Sequence, residues 1–211
     1  MGNIPLPFGD KQLALNIIES FTKKLISKRK KLVAIGGEHL ISLPIIKNYH
    51  KLFSDLAVIQ LDAHSNLIDS HRGEKFSHAT IMRRTAEIVG FDSLYQMGIR
   101  SCLSEDFMLP KRKENMCMFD FSKSDGVIEN LNGRHIYLTV DLDVLDPSIF
   151  PGAGRPEPGG VTYKDLIDLL KHFKTLNIVG ADVVELSPHY DATGVSNVVA
   201  ASVVKEIALL I

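Results

Sequence analysis

Six short runs of apolar residues recur along the chain: Leu32 to Ile35, Ala57 to Leu61, Leu94 to Gly98, Met116 to Phe119, Ile136 to Val140 and Ile178 to Val184. Each is continuous rather than alternating, the pattern of a strand covered on both faces. Around them, Lys11 to Ser27, His39 to His50, His78 to Val89, Ser104 to Lys113, Tyr163 to Lys174 and Val195 to the end suit helices. Strand–helix alternation of this kind predicts an α/β fold with a parallel sheet. No shift in composition or internal repeat divides the chain, so residues 1–211 are expected to form a single domain. One Pro/Gly-dense stretch, Pro147 to Gly160, reads as a long loop inside it, a common place for function.

Composition narrows the function classes. The chain has 211 residues, 45% hydrophobic and 23% charged, which argues against disorder. Its net charge of −1 leaves no electrostatic footprint for nucleic acid or anionic lipid. The densest basic run, Lys23-Lys24 through Lys28-Arg29-Lys30-Lys31, falls at a predicted helix end, where cations suit the macrodipole. Cys102 and Cys117 lack CxxC spacing and indicate neither a zinc knuckle nor a disulfide framework. No apolar run approaches the ~18 residues of a membrane span, and the opening residues lack the pattern of a signal peptide. The expected setting is cytoplasmic, with a small-molecule partner, no nucleic acid and no membrane.

Four of the apolar runs stop at acids and histidines. Leu32 to Ile35 leads into Gly36-Gly37-Glu38-His39, and Ala57 to Leu61 into Asp62-Ala63-His64. Ile136 to Val140 leads into Asp141-Leu142-Asp143, and the last run into Glu185, Pro188 and Asp191. Open parallel sheets bind ligands outside the carboxyl ends of their strands. His39, Asp62, His64, Asp141, Asp143 and Glu185 should therefore share one rim. Residues i and i+2 of an extended chain point the same way, so Asp62 can converge with His64 and Asp141 with Asp143. Three carboxylates and two imidazoles in one place call for a cation. Any single acid after a strand could be no more than an N-cap, but four such ends together favour a metal site. Oxygen-rich ligation with imidazole and no thiolate favours manganese-like ions over structural zinc. The pattern leaves His78, in Phe76-Ser77-His78-Ala79-Thr80, equally suited to a local structural role and to carrying a proton. Glu185 could equally be a buried salt-bridge partner. His50, His71, His135 and His172 have no ligand-like spacing.

Taken together, Gly36-Gly37-Glu38-His39, Leu61-Asp62-Ala63-His64, Phe76 to Thr80, Val140 to Pro147, Pro151 to Gly154 with Pro158-Gly159-Gly160, and Val184 to Pro188 resemble the motifs of the ureohydrolases, the arginase and agmatinase family. The resemblance runs the length of the chain and is closest to agmatinase-like members. It implies a three-layer α/β/α fold with a mostly parallel sheet, a homo-oligomer (trimer or hexamer), and two Mn2+ ions per chain. Carried over by motif, His39, Asp62, His64, Asp141 and Asp143 fall on metal-ligand positions, with Asp62 and Asp141 bridging. His78 falls on the proton-transfer histidine and Glu185 on the acid that pairs with the guanidinium. The implied reaction is hydrolysis of a guanidino compound by a metal-bridging hydroxide. Arginases place an Asn six residues after the first Asp of this motif; here Ile68 stands there and cannot bind a carboxylate, so agmatine, giving putrescine and urea, is the expected substrate.

Three departures set this chain apart from the pattern. Asn66 stands where the family has an Asp ligand, which predicts a looser site of His39, Asp62, Asn66 and Asp141, and allows one metal rather than two. Arg155 puts a cation where a hydroxyl usually lines the guanidinium pocket. The family's N-terminal segment does not precede these motifs, which predicts either a trimmed sheet or an exposed edge. These features keep two alternatives in view: a catalytically impaired or inactive relative, and a single-metal amidohydrolase on the same fold.

Overall fold

The computed structural model describes residues 2–211. Six strands, β1 (Val33–Ile35), β2 (Ala57–Leu61), β3 (Leu94–Ile99), β4 (Met116–Met118), β5 (His135–Asp141) and β6 (Asn177–Val184), form one sheet in the order β1-β6-β5-β2-β3-β4. Every pairing in it is parallel. Side-chain alternation divides each central strand between two cores. Ala57, Ile59 and Leu61, with Ile136, Leu138 and Val140, belong to one; Val58 and Tyr137 belong to the other.

Helices cover both faces. On one side lie α1 (Lys11–Ile26), α2 (Ser42–Leu52) and α3 (Ile81–Val89), burying Ile18, Ile45, Ile46 and Met82. On the other lie α5 (Ser124–Leu131), α6 (Tyr163–His172) and α7 (Val195–Leu210), burying Leu131, Leu166, Val203 and Ile207. The result is the expected three-layer α/β/α sandwich. Local signals start these helices: Asp10 accepts from Leu13 N to cap α1, and Thr162 and Asp165 form a capping box on α6.

One predicted element differs, and one helix was not predicted. Ser104 to Lys113 is not one helix but a 3-10 turn, Ser104–Met108, followed by the single turn α4 (Arg112–Asn115). Pro110 holds Leu109 extended, at ψ 151°, and has no amide hydrogen to continue the ladder. Helix α5 escapes the hydrophobic pattern because it is eight residues long with Gly126 inside it. The edge anticipated near the start of the chain is β1, where Ile35 is 70% exposed.

Candidate metal centre

Strand order and register decide what meets at the rim. β1, β6, β5 and β2 are consecutive neighbours, and Ile35, Val183, Val140 and Leu61 sit in register, so the four loops leave the sheet side by side. Gly36 lets the first loop turn at once: a Cβ there would meet Ile41 Cδ1 at 2.0 Å. A 3-10 turn, His39–Ile41, then points His39 across β6 and β5. Beyond β2, Asp62 Oδ1 accepts from His64 N (2.6 Å), and beyond β5, Asp141 Oδ1 accepts from Asp143 N (3.0 Å). Both pairs are therefore folded by side-chain-to-backbone turns rather than by strand alternation. Asp141 is also a cap, and its second oxygen remains free to face the site.

Two triads result, His39–Asp62–Asp141 and Asp62–His64–Asp143, each with donor atoms within 4.8 Å of one another and all residues buried. Asp62 belongs to both. Asp141 lies in the first. His39 Nδ1 stands 3.3 Å from Asp62 Oδ2 and 3.2 Å from Asp141 Oδ2. His64 Nδ1 stands 3.6 Å from Asp62 Oδ1 and 2.8 Å from Asp143 Oδ2. Close as these contacts are, neither Nδ1 is oriented to hydrogen-bond a carboxylate, and both are sealed from solvent. Burial opposes charge on both imidazoles, yet Asp141 and Asp62 push His39 well above the ordinary range, and Asp143 and Asp62 raise His64 to about 10. Burial and the neighbouring carboxylates Asp143 and Asp62 raise Asp141 in turn. Such a cluster demands positive charge at its centre.

The surroundings prepare His39 as a ligand. Thr139 Oγ1 donates to Asp182 Oδ1 (2.6 Å), so it accepts from His39 Nε2 (2.9 Å). In the neutral form that a metal ligand must take, the Nδ1 lone pair then faces Asp62 and Asp141. Tyr137 OH donates to the other oxygen of Asp182 (2.7 Å). On the far side, Gln60 Nε2 donates to Asp62 Oδ2, Gln96 to Gln60, and the buried Arg112 to Gln96. Thr139, Asp182, Gln60 and Gln96 were not singled out from sequence. Their signal was a polar residue inside a strand that is otherwise buried and apolar; all four have no exposed area.

Around the triads lie the other predicted residues. Glu185 adopts a left-handed φ of +66°, costly for a residue with a long side chain, and its Oε1 accepts from His39 N (2.7 Å). Burial raises its carboxyl above the usual range. His78 is held by Glu38, whose Oε1 takes both its amide (2.5 Å) and its Nδ1 (3.1 Å). Asn66, at φ +52°, donates from Nδ2 to Asp62 Oδ2 (2.8 Å), and Arg155 Nη2 reaches Asn66 Oδ1 at 3.5 Å. Arg155 thus turns toward the site rather than away. It helps line a cleft of about 210 Å³ with His64, Asn66, Ile68 and His71. Glu157, unremarked in the sequence, places Oε1 3.5 Å from His64 Nε2. Asp191 does not join the cluster: it accepts from Thr193 and Ser196 and caps α7. His135 and His172 pair with Asp55 and Asp125, away from the site. A larger cavity, about 480 Å³ between α5 and α6, is lined by Asp125 and His172 and by none of the triad residues.

Known proteins share this architecture. The model of the arginase family matches residues 1–210. An agmatinase of Bacillus anthracis is 42% identical over 212 residues, covering 99% of this chain and 73% of its own. A solved structure of a provisionally named agmatinase from Clostridium difficile superposes with a TM-score of 0.94 at 41% identity, over 99% of this chain and 77% of that one. The proclavaminate amidino hydrolase of Streptomyces clavuligerus follows with 0.89 at 28%, over 99% and 74%.

Proposed function

The chain belongs to the arginase family, and from that premise we propose that it is a manganese-dependent ureohydrolase whose substrate is agmatine, released as putrescine and urea. The observation that carries the reading is the pair of buried triads sharing Asp62 at the carboxyl ends of neighbouring strands. His39, Asp62 and Asp141 would hold one ion and Asp62, His64 and Asp143 a second. Oxygen and imidazole donors without thiolate suit manganese. When bound, such ions supply Lewis acidity and a nucleophile near neutral pH by lowering the pKa of a coordinated water.

The chain's own residues do the rest. Glu185 spends one oxygen on His39 N and keeps Oε2 for a planar, multiply donating guanidinium. Its strained backbone is what turns it over the rim. His78, held by Glu38 on the same turn that anchors Glu185, delivers a proton to the nitrogen that leaves as the amine. Ile68 lines the cleft without a group to hold a carboxylate, in keeping with a substrate that has none. Urea release from agmatine by the manganese-loaded chain, above the metal-free blank, tests the proposal. Folded, metal-bearing protein that releases none would refute it.

A further inference from the structure

Glu38 is the residue immediately before the ligand candidate His39, yet its carboxylate holds His78, from a distant stretch of the chain. Oε1 accepts two hydrogen bonds from one residue, the amide and the ring Nδ1 of His78, forty positions away. Oε2 accepts from Leu40 N (2.9 Å), which fixes the carboxylate on its own turn. On that same turn, His39 N is held by Glu185. One short segment, Glu38 to Leu40, therefore ties together a metal-ligand candidate, the proposed guanidinium acceptor and the proposed proton carrier.

This contact also chooses the tautomer. A carboxylate has no hydrogen to give, so Nδ1 of His78 must be the donor. In the neutral ring Nε2 is then the acceptor, the opposite of the form an unpartnered histidine favours. The ring has one other aromatic neighbour, His71, with centroids 5.7 Å apart at 55°, which packs beside it without fixing a proton. The arrangement is the acid–histidine half of a catalytic triad, in which the carboxylate orients the imidazole and fixes its tautomer.

We propose that Glu38 is a positioning residue that fixes the ring and the tautomer of His78, so that Nε2, the acceptor of the neutral ring, is the atom that takes up a proton from water and hands it on to the leaving nitrogen. The proposal rests on the proton-carrier reading of His78. It is tested by a double-mutant cycle of E38Q and H78N in the manganese-loaded chain, with urea release from agmatine and metal content as readouts. E38Q should lower kcat by about 10–100-fold, the usual range for a supporting contact, while KM and manganese content hold. In the H78N background E38Q should cost almost nothing more. Equal losses in both backgrounds would mean that Glu38 acts through Leu40 and the turn, and would overturn the proposal. Full turnover in H78N would remove the proton-carrier reading and this inference with it, leaving the metal triads standing. A second readout needs no turnover. In histidine-15N-labelled chain loaded with diamagnetic zinc, His78 should show the Nδ1–H tautomer in wild type and move toward Nε2–H in E38Q. At a pH where the ring is neutral, protonation at Nε2 with Nδ1 bare in wild type overturns the proposal outright.

Discussion

Replacing Asn66 by Asp should destabilise the metal-free chain and enlarge the stabilisation that manganese brings. In the metal-free chain Asn66 Nδ2 donates to Asp62 Oδ2 at 2.8 Å, and both residues are buried. A carboxylate there removes a hydrogen bond to a charged group, worth about 1.5–3 kcal/mol. It also sets two like charges about 4 Å apart, a repulsion of roughly 4 kcal/mol at an effective permittivity of 20. Arg155, 3.5 Å from Asn66 Oδ1, would return part of this, as an exposed pair contributes at most about 1 kcal/mol. Loop relaxation absorbs more, so a net loss of about 2–4 kcal/mol is expected. At ~2–4 °C per kcal/mol for a chain of this size, the metal-free Tm should fall by roughly 5–15 °C. Manganese offsets part of this loss, since the new carboxylate is a stronger ligand for a hard cation than an amide. A tenfold gain in affinity adds about 1.4 kcal/mol at saturation. Thermal melts of both proteins with and without manganese, with calorimetric stoichiometry, make the comparison. A metal-free N66D that melts at or above wild type would show that residue 66 does not face Asp62. A manganese-induced gain no larger than wild type's would show that it does not face the ion.

Other consequences follow from single contacts. H64A should lose metal from the Asp62–His64–Asp143 triad, read by elemental analysis after dialysis, and full retention would refute the ligand assignment. Asp146 accepts from Ser148, Gly159 and Gly160, and these hydrogen bonds, Ser148's foremost, hold its carboxyl down at about 2 against an ordinary 3.8. A folded-state pKa below the unfolded one stabilises above about pH 4 and is lost as pH falls through about 2. The Tm gap between wild type and D146N should therefore be full at neutral pH and close between pH 4 and 2; a gap independent of pH would show the loop is not clasped by charge. G180A places a Cβ 2.5 Å from the buried Tyr49 ring and should cost about 1–3 kcal/mol by overpacking, a Tm drop of roughly 2–10 °C. An unchanged Tm would mean that the ring has room to move.

The sequence by itself determined the sheet and the identity of the ligand candidates. Apolar runs such as Ala57 to Leu61 are legible because burial on both faces leaves few polar positions, here Gln60 alone, to break them. Acids and histidines at the ends of four such runs are legible because a strand's end is a local event. Helix α5 and the broken segment around Pro110 were less legible, since short elements carry too little periodicity to outweigh a Gly or a Pro. What joined the ligands was tertiary. Only the order β1-β6-β5-β2 makes four distant loops neighbours, and only register brings their ends level. The supporting contacts are mostly non-local: Thr139 and Asp182 behind His39, Gln96 and Arg112 behind Gln60, Glu38 against His78. Each joins residues whose separation along the chain carries no signal, because a hydrogen bond depends on where two atoms come to rest in space and not on how many residues lie between them. The same holds for Arg155, whose direction toward Asn66 was set by the packing of the Pro147 to Gly160 loop rather than by its own chemistry.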